Sequence, residues 1–431
     1  MPASALDYLF GLEQFGIKYD LDNIRALVAA LDHPDRAYAT IHIAGTNGKG
    51  SVTAMVDAML RAAGHRTGRY TSPHLIELNE RFVISGVPVT TERLQSAATA
   101  LRRTVENLLA HGLLRGQPTF FEGTTAIALD LFRSAGVEVA VCEVGLGGRL
   151  DATNILQPLV TAITSIGFDH QRFLGTTIPE IAREKAGIIK PGIPVVLGRL
   201  PAEAVEAIVP VARERQAPLV IAGQRCVTED EGVDADGRQQ ITLQTSSRHY
   251  GRVTLALAGR HQVGNAEVAV CVAEALDAAG LAVPIDAVRH GLADTRWPGR
   301  LERRRLPDGR DLLLDAAHNP EGAVALASFL AAERDPRVLV FGAMDDKDAG
   351  TMLSVLTPRA RALVLTRANT PRSADPAALS AAVAGANVRC PVHVEPDLAA
   401  ALALAWGLAP RVVVAGSIFL VGDVMKQLGQ P

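Results

Sequence analysis

The stretch Ile41-His42-Ile43-Ala44-Gly45-Thr46-Asn47-Gly48-Lys49-Gly50-Ser51 passes from an apolar run through a glycine-rich turn to a lysine and a hydroxyl residue. Behind it, Val52, Met55, Val56, Met59, Leu60 and Ala63 recur at helical spacing until Gly64 closes the segment. Strand, glycine turn, lysine, hydroxyl and helix, in that order, are what a phosphate-binding loop requires. Glycines let backbone N–H groups curl around an anion, and the helix N-terminus adds its dipole. Lys49 is then in reach of the outer phosphates of a nucleotide, and Ser51 is placed for a magnesium ion. The strict GxxxxGK[ST] pattern is not met, because Gly50 separates Lys49 from Ser51 and Ile43 stands where the first glycine belongs.

The alternation begun there continues through most of the chain. Thr40–Ala44, Val137–Val144, Val160–Ile166, Pro194–Leu197, Leu312–Leu314, Val338–Phe341, Ala362–Thr366 and Val412–Ala415 read as strands, several of them apolar throughout. Such runs suit a parallel sheet buried on both faces, and helical patterns between them predict a doubly wound α/β architecture. From Arg225 to Gln262 the period changes to two around an Asp234-Ala235-Asp236-Gly237 turn, a small antiparallel excursion expected on the first sheet. The helix after it is expected to open at Asn265, and a hinge at Asp294–Arg300 precedes a restart of the alternation. The expected organisation is a P-loop-type, mostly parallel domain over 1–295 and a smaller Rossmann-like α/β domain over 296–431.

Composition narrows the class of function. The 431 residues are 48% hydrophobic and 21% charged, and 43 Lys+Arg against 46 Asp+Glu leave a net charge of −3. That balance and the scarcity of aromatics give no general hold on nucleic acid. The four cysteines are far apart with no metal spacing, as in a reducing compartment. With no secretion signal legible and apolar stretches such as Leu398–Pro410 shorter than the roughly 18 residues of a membrane span, the expectation is a cytoplasmic protein without membrane attachment.

In an open α/β sheet, ligands bind beyond the carboxyl ends of the strands. Glu143 ends one expected strand and His170 follows another by four residues, so both are expected beside the phosphate loop as magnesium ligands. Asp315 and His318, at the end of a strand and the start of a helix, have the same address in the second domain. Lys185, near a helix C-terminus, reads by itself as a solvated lysine, and Ser417 as a helix N-cap. Gly145-Leu146-Gly147-Gly148 follows a strand but lacks dinucleotide-loop spacing, which argues against an oxidoreductase.

Gly45–Ser51 is similar to the ATP loop of the Mur ligase superfamily. Thr71-Ser72-Pro73-His74-Leu75, Asn79-Glu80-Arg81, Phe120–Thr125, Glu143–Asn154, Asp169-His170, Arg183–Gly187, His261-Gln262 with Asn265, Pro298-Gly299-Arg300 and Asp315–Pro320 resemble its folate branch, in order along nearly the whole chain. The resemblance implies an ATP-dependent ligase that joins L-glutamate to 7,8-dihydropteroate and to the γ-carboxylate of reduced folates through an acyl phosphate. It implies two Mg²⁺ ions held by Ser51, Ser72, Glu143 and His170, and catalytic roles for Lys49, Lys185 (as a carbamate) and His318. ATP contacts fall to Asn47, Gly48, Lys49, Gly50, Ser51, Asn265, Arg300 and Asp315. Folate or pteroate contacts fall to Phe120, Phe121, Glu122, Gly123, Thr124, Arg149, Leu150 and Asp151, and glutamate contacts to Asp315 and Ser417. A monomer is expected. The alternative is a P-loop NTPase that works as a conformational switch, which would hydrolyse ATP without glutamate or pterin.

Overall fold

The computed structural model describes residues 5–16, 20–385 and 388–429. It forms two compact units: Met1–Glu229 with Thr242–Val253 and Gly264–Thr295, and Asp230–Ile241 with Thr254–Val263 and Arg296–Pro431.

The first unit is built on eight strands: β1 (Ala39–Ala44), β2 (Thr67–Tyr70), β3 (Phe82–Ile84), β4 (Val87–Pro88), β5 (Val139–Glu143), β6 (Val160–Ile163), β7 (Val195–Leu197) and β8 (Leu219–Ile221). Their order is β4-β3-β2-β5-β1-β6-β7-β8. From β2 to β8 every pairing is parallel, and only β3 and β4 are antiparallel. Ile41, Ile43, Val139, Val141, Val160 and Ile163 are fully buried, as strands covered on both faces must be. Parallel pairing brings the carboxyl ends of β2, β5, β1 and β6 to one edge, with Ile43 opposite Glu143 and Ala44 opposite Ile163.

Four expectations are corrected. The helix after the phosphate loop begins at Lys49 and runs to Ala62, with Gly48 at its cap, so Ser51 lies inside the first turn. β6 stops at Ile163, seven residues before His170. The excursion forms its own three-stranded sheet of β9 (Cys226–Val233), β10 (Arg238–Thr245) and β11 (His249–Ala258). Its short turns satisfy their own backbone, with Asp234 N–H donating to Arg238 O, so it needs no partner in the first sheet. The following helix begins at His261, four residues before the expected start.

The last sheet comprises β12 (Glu302–Arg305), β13 (Asp311–Leu314), β14 (Val338–Phe341), β15 (Ala362–Leu365), β16 (Val392–Val394) and β17 (Arg411–Ala415), in the order β12-β13-β17-β14-β15-β16. It is parallel except for β12. Buried ion pairs tie its amino-terminal edge: Arg337, 1% exposed, reaches Asp311 at 2.8 Å and Glu333 at 2.6 Å. Among the described residues no helix is long and apolar enough to cross a membrane.

Candidate active site

The loop Gly45–Gly48 is held from two sides. Thr46 N–H donates to Ser165 O at 2.8 Å, Asn47 N–H to Ser165 Oγ at 2.8 Å, and Thr164 Oγ1 to Asn47 O at 2.6 Å. These hydroxyls, just past β6, were not singled out from the sequence; a Thr-Ser pair at the end of an apolar run is their only signal. Gly48 has φ +83°, and a Cβ there would lie 2.4 Å from Asn265 Oδ1. The turn therefore needs glycine for both conformation and space, and Asn265 sits against the phosphate loop.

Lys49 Nζ donates to Gly45 O and Thr46 O, each at 3.1 Å. Lys185 Nζ donates to the same Gly45 oxygen at 2.9 Å. Lys185 is 4% exposed, so the solvated reading of this lysine fails: the Ile178–Ala186 helix ends by turning it inward. Burial first, and then the Lys49 ammonium, lower its pKa to about 7. At neutral pH a substantial fraction of Lys185 is thus a neutral, nucleophilic amine.

Glu143 is buried at the end of β5, and one carboxylate oxygen accepts the Ser72 N–H at 3.2 Å. Ser51 is buried in the first helical turn. His170, φ +51°, has its N–H on Asp169 Oδ1 at 2.9 Å and a partly exposed ring. One carboxylate, two serine hydroxyls and an imidazole fit a small hard cation that completes its shell with phosphate and water. Among the described residues no three His, Cys, Asp or Glu side chains form a metal cluster.

The expected folate segments pack along the same unit. Thr119 and Glu122 form a capping box at the start of the Phe120–Ser134 helix. Gly123 faces Leu101 and Leu12, and Thr124 Oγ1 lies 2.8 Å from Tyr70 Oη. Phe120 and Phe121 belong to an aromatic row: Phe10 stacks on Phe120 at 5.8 Å and Tyr70 on Phe121 at 5.9 Å. Arg81, buried, lies over Phe120 at 5.1 Å and donates to His74 Nδ1 at 3.0 Å. Asp151 accepts Leu146 N–H at 2.8 Å and Thr153 N–H at 3.0 Å, and His42 Nε2 meets Thr153 Oγ1 at 2.7 Å. Burial holds His42 at about 3, hence neutral, and raises Asp151. This relay fixes the Gly145–Arg149 loop over the end of the Lys185 helix, where a Cβ on Gly148 would lie 2.9 Å from both Glu184 O and Lys185 O. Arg149, mostly exposed, pairs with Glu184 at 2.9 Å, and Leu150 is half-buried beside it.

In the second unit, Asp315 accepts Leu301 N–H and Ala317 N–H at 2.9 Å each. Burial raises its pKa, while the Arg300 guanidinium opposes the rise. His318 Nδ1 lies 2.8 Å from Ala316 O, and since a carbonyl only accepts, Nδ1 carries a proton. Desolvation lowers the pKa of His261 from its ordinary value, the Asp315 carboxylate opposing that shift and the Arg300 guanidinium adding to it. Ser417 Oγ accepts Phe419 N–H at 3.1 Å and caps the Ile418–Gln427 helix.

Residues 43–273 match the Mur ligase middle domain, and residues 299–418 match the Mur ligase glutamate ligase domain. The chain is 36% identical to the dihydrofolate synthase/folylpolyglutamate synthase of Bacillus subtilis, over 98% of each chain. The chain belongs to the folylpolyglutamate synthase/dihydrofolate synthase branch of the Mur ligases. Its fold superposes on the Mycobacterium tuberculosis folylpolyglutamate synthase complexed with ADP and AMPPCP at a TM-score of 0.90, with 35% identity and 99% of each chain covered. E. coli FolC in complex with DHPP and ADP gives 0.85 at 29% identity, with 99% of this chain and 98% of that one covered.

Proposed function

We propose that this chain, an ATP-dependent amide-forming ligase of the folate branch, adds L-glutamate to 7,8-dihydropteroate and to the γ-carboxylate of reduced folates through an acyl phosphate. One observation carries the reading: the Gly45–Ser51 loop, Lys49, Lys185 and Glu143 meet at one sheet edge, in a chain that matches such ligases over its length. The switch alternative is not favoured, because it leaves the glutamate ligase domain match at 299–418 without a role.

The acceptor's carboxylate oxygen attacks the γ-phosphorus of ATP and ADP leaves. Glutamate's amine then attacks the acyl carbon, and phosphate departs. Backbone N–H groups of Gly48–Gly50 receive the phosphates, Asn47 holds the loop in shape through Ser165, and Lys49 exchanges its carbonyl partners for phosphoryl oxygen, stabilising charge as it develops. Ser51, Ser72, Glu143 and His170 would hold magnesium, which when bound neutralises phosphate charge. Phe120 and Phe121 give the flat acceptor an aromatic face, the Arg149–Asp151 loop gives it polar partners and the side of Leu150, and Glu122, Gly123 and Thr124 fix the helix that carries the two aromatics. Asn265 steadies Gly48. Arg300, Asp315, His318 and Ser417 serve ATP and the incoming glutamate in the second unit.

Lys185 takes part as a carbamate in this reading. Its neutral Nζ attacks CO₂, the N–C bond forms as a C–O π pair moves to oxygen, and the amine proton leaves to solvent. The resulting anion replaces an ammonium that competes with Lys49 for one carbonyl. The test is a product assay with dihydropteroate and tetrahydrofolate in parallel, each with ATP and glutamate. Glutamylated product from both supports the reading. ATP hydrolysis without glutamate or pterin, and no product, refutes it.

A further inference from the structure

Arg81 is a buried cation that the ligase chemistry above leaves unused. It is 7% exposed, and among the described residues no carboxylate lies in ion-pair reach of it. Its Nε donates to His74 Nδ1 at 3.0 Å, its guanidinium lies over Phe120 at 5.1 Å, and Tyr70 accepts a further hydrogen bond. All three neighbours are neutral. Burial, then Arg81 itself, holds His74 at about 4, and burial pushes the Tyr70 hydroxyl up to about 12. Glu13 and Glu143 act on the guanidinium only from a distance, against a burial that disfavours its charge. An arginine keeps its charge in a protein, and a charge taken out of water without a partner is strongly destabilising. Two hydrogen bonds leave three of its five N–H groups. None of its nitrogens is both sealed from solvent and without a partner, so the remaining donors face an opening.

Backbone register indicates which anion arrives there. Tyr70 stands opposite Phe82 on one side and Cys142 on the other. One residue further, Thr71 N–H donates to Arg81 O at 3.3 Å, and Glu143 follows Cys142. Arg81, Thr71 and Glu143 thus stand side by side at the ends of three neighbouring strands, on the edge that carries the phosphate loop. Ser72 N–H, next in the chain, reaches Glu143 at 3.2 Å. The cation has Phe120 of the aromatic row on one side and is in line with Glu143 on the other. Resting on the ligase reading above, we infer that Arg81 is a catalytic residue whose guanidinium takes the acceptor's reacting carboxylate. One carboxylate oxygen attacks the γ-phosphorus as ADP leaves, and the other stays on the acyl carbon at Arg81. When glutamate's amine attacks, the C–N bond forms, the C=O π pair moves onto that oxygen, and the amine proton goes to solvent. The pair returns as phosphate departs. A fixed guanidinium fork suits both the planar carboxylate and the charge that develops on its oxygen.

The probes are dihydropteroate and its carboxamide, which differ only at the carboxylate, titrated by calorimetry into the full chain, Arg81→Met and Arg81→Lys. The parent should prefer the carboxylate by about tenfold or more, as a charge-assisted hydrogen bond predicts. Arg81→Met should erase most of that preference by weakening the carboxylate alone. Arg81→Lys should keep the preference yet ligate about tenfold more slowly, because a point charge replaces the fork. A role in packing alone predicts equal losses for both compounds in Arg81→Met, and that result would overturn the inference. Should Arg81→Met not fold, equal affinity of the parent for the two compounds, or parental ligation by Arg81→Lys, overturns it instead. If the parent makes no glutamylated product from any acceptor, the ligase reading fails and this assignment with it. Product from the parent, with the carboxylate preference intact in Arg81→Met, defeats the Arg81 assignment alone.

Discussion

Lys185→Met removes a buried ammonium while keeping most of the side-chain volume. Holding the lysine at about 7 in the folded chain, against its usual 10.5, corresponds to ~5 kcal/mol of destabilisation below pH 7. The hydrogen bond to Gly45 O, worth about 1–2 kcal/mol, is lost in the variant. The variant should therefore be more stable than the parent by roughly 3 kcal/mol at pH 6.5 in CO₂-depleted buffer, a rise in Tm of about 5 °C. The pH dependence fixes the sign. Between about 7 and 10.5 the unfolded chain still binds this proton and the folded chain has released it, so the parent gains stability as pH rises. The variant's advantage should shrink over that window and reverse near its upper end. Ligation should fall steeply at every pH, the exchange of stability for activity expected where a strained group serves function. Thermal unfolding of both proteins from pH 6 to 10 tests this. Equal or lower stability of the variant, flat with pH, would refute the buried-cation argument.

Short carboxylic acids should partly restore the activity of Lys185→Ala by filling the place of a carbamate; a variant that no acid rescues argues against the modification. Lys49→Ala should lower the ligation rate by about 10²–10³ with circular dichroism unchanged, and near-parental turnover at saturating ATP would defeat the phosphate-loop assignment. Gly48→Ala places a Cβ 2.4 Å from Asn265 Oδ1 at a φ of +83°, adding about 1–2 kcal/mol of backbone strain besides the overlap. Both Tm and affinity for a non-hydrolysable ATP analogue should drop; parental values for both would contradict the loop geometry.

Much of the fold was legible because buried parallel strands are written in unbroken apolar residues. Val338–Phe341 was read with its observed ends, and Thr40–Ala44 and Val412–Ala415 to within a residue. β12 was not legible: Glu-Arg-Arg-Arg has no apolar face, and its strand pairs with β13 while ions hold its side chains. β2 was missed for a similar reason, since Thr67-Gly68-Arg69-Tyr70 carries one aromatic and a guanidinium that pairs with buried Asp57. Within the site, local chemistry identified Gly45–Ser51, and the strand-end rule carried Glu143 to the same edge. Burial of Lys185 was beyond local reading, because it depends on how the Ile178–Ala186 helix packs against a loop 140 residues earlier. Arg81, His74 and His261 were noticed as motif residues, but their contacts depend on the folded chain.

Carboxylate activation by ATP is the centre of the account, and isotope transfer tests it most directly. An amine does not displace an unactivated carboxylate oxygen, so ATP must first convert that oxygen into part of a leaving group. With ¹⁸O in the reacting carboxylate of the acceptor and unlabelled ATP and glutamate, mass spectrometry of the released phosphate reads the path of one atom. The account predicts one ¹⁸O in phosphate for each amide formed. Amide product accompanied by unlabelled phosphate would contradict it.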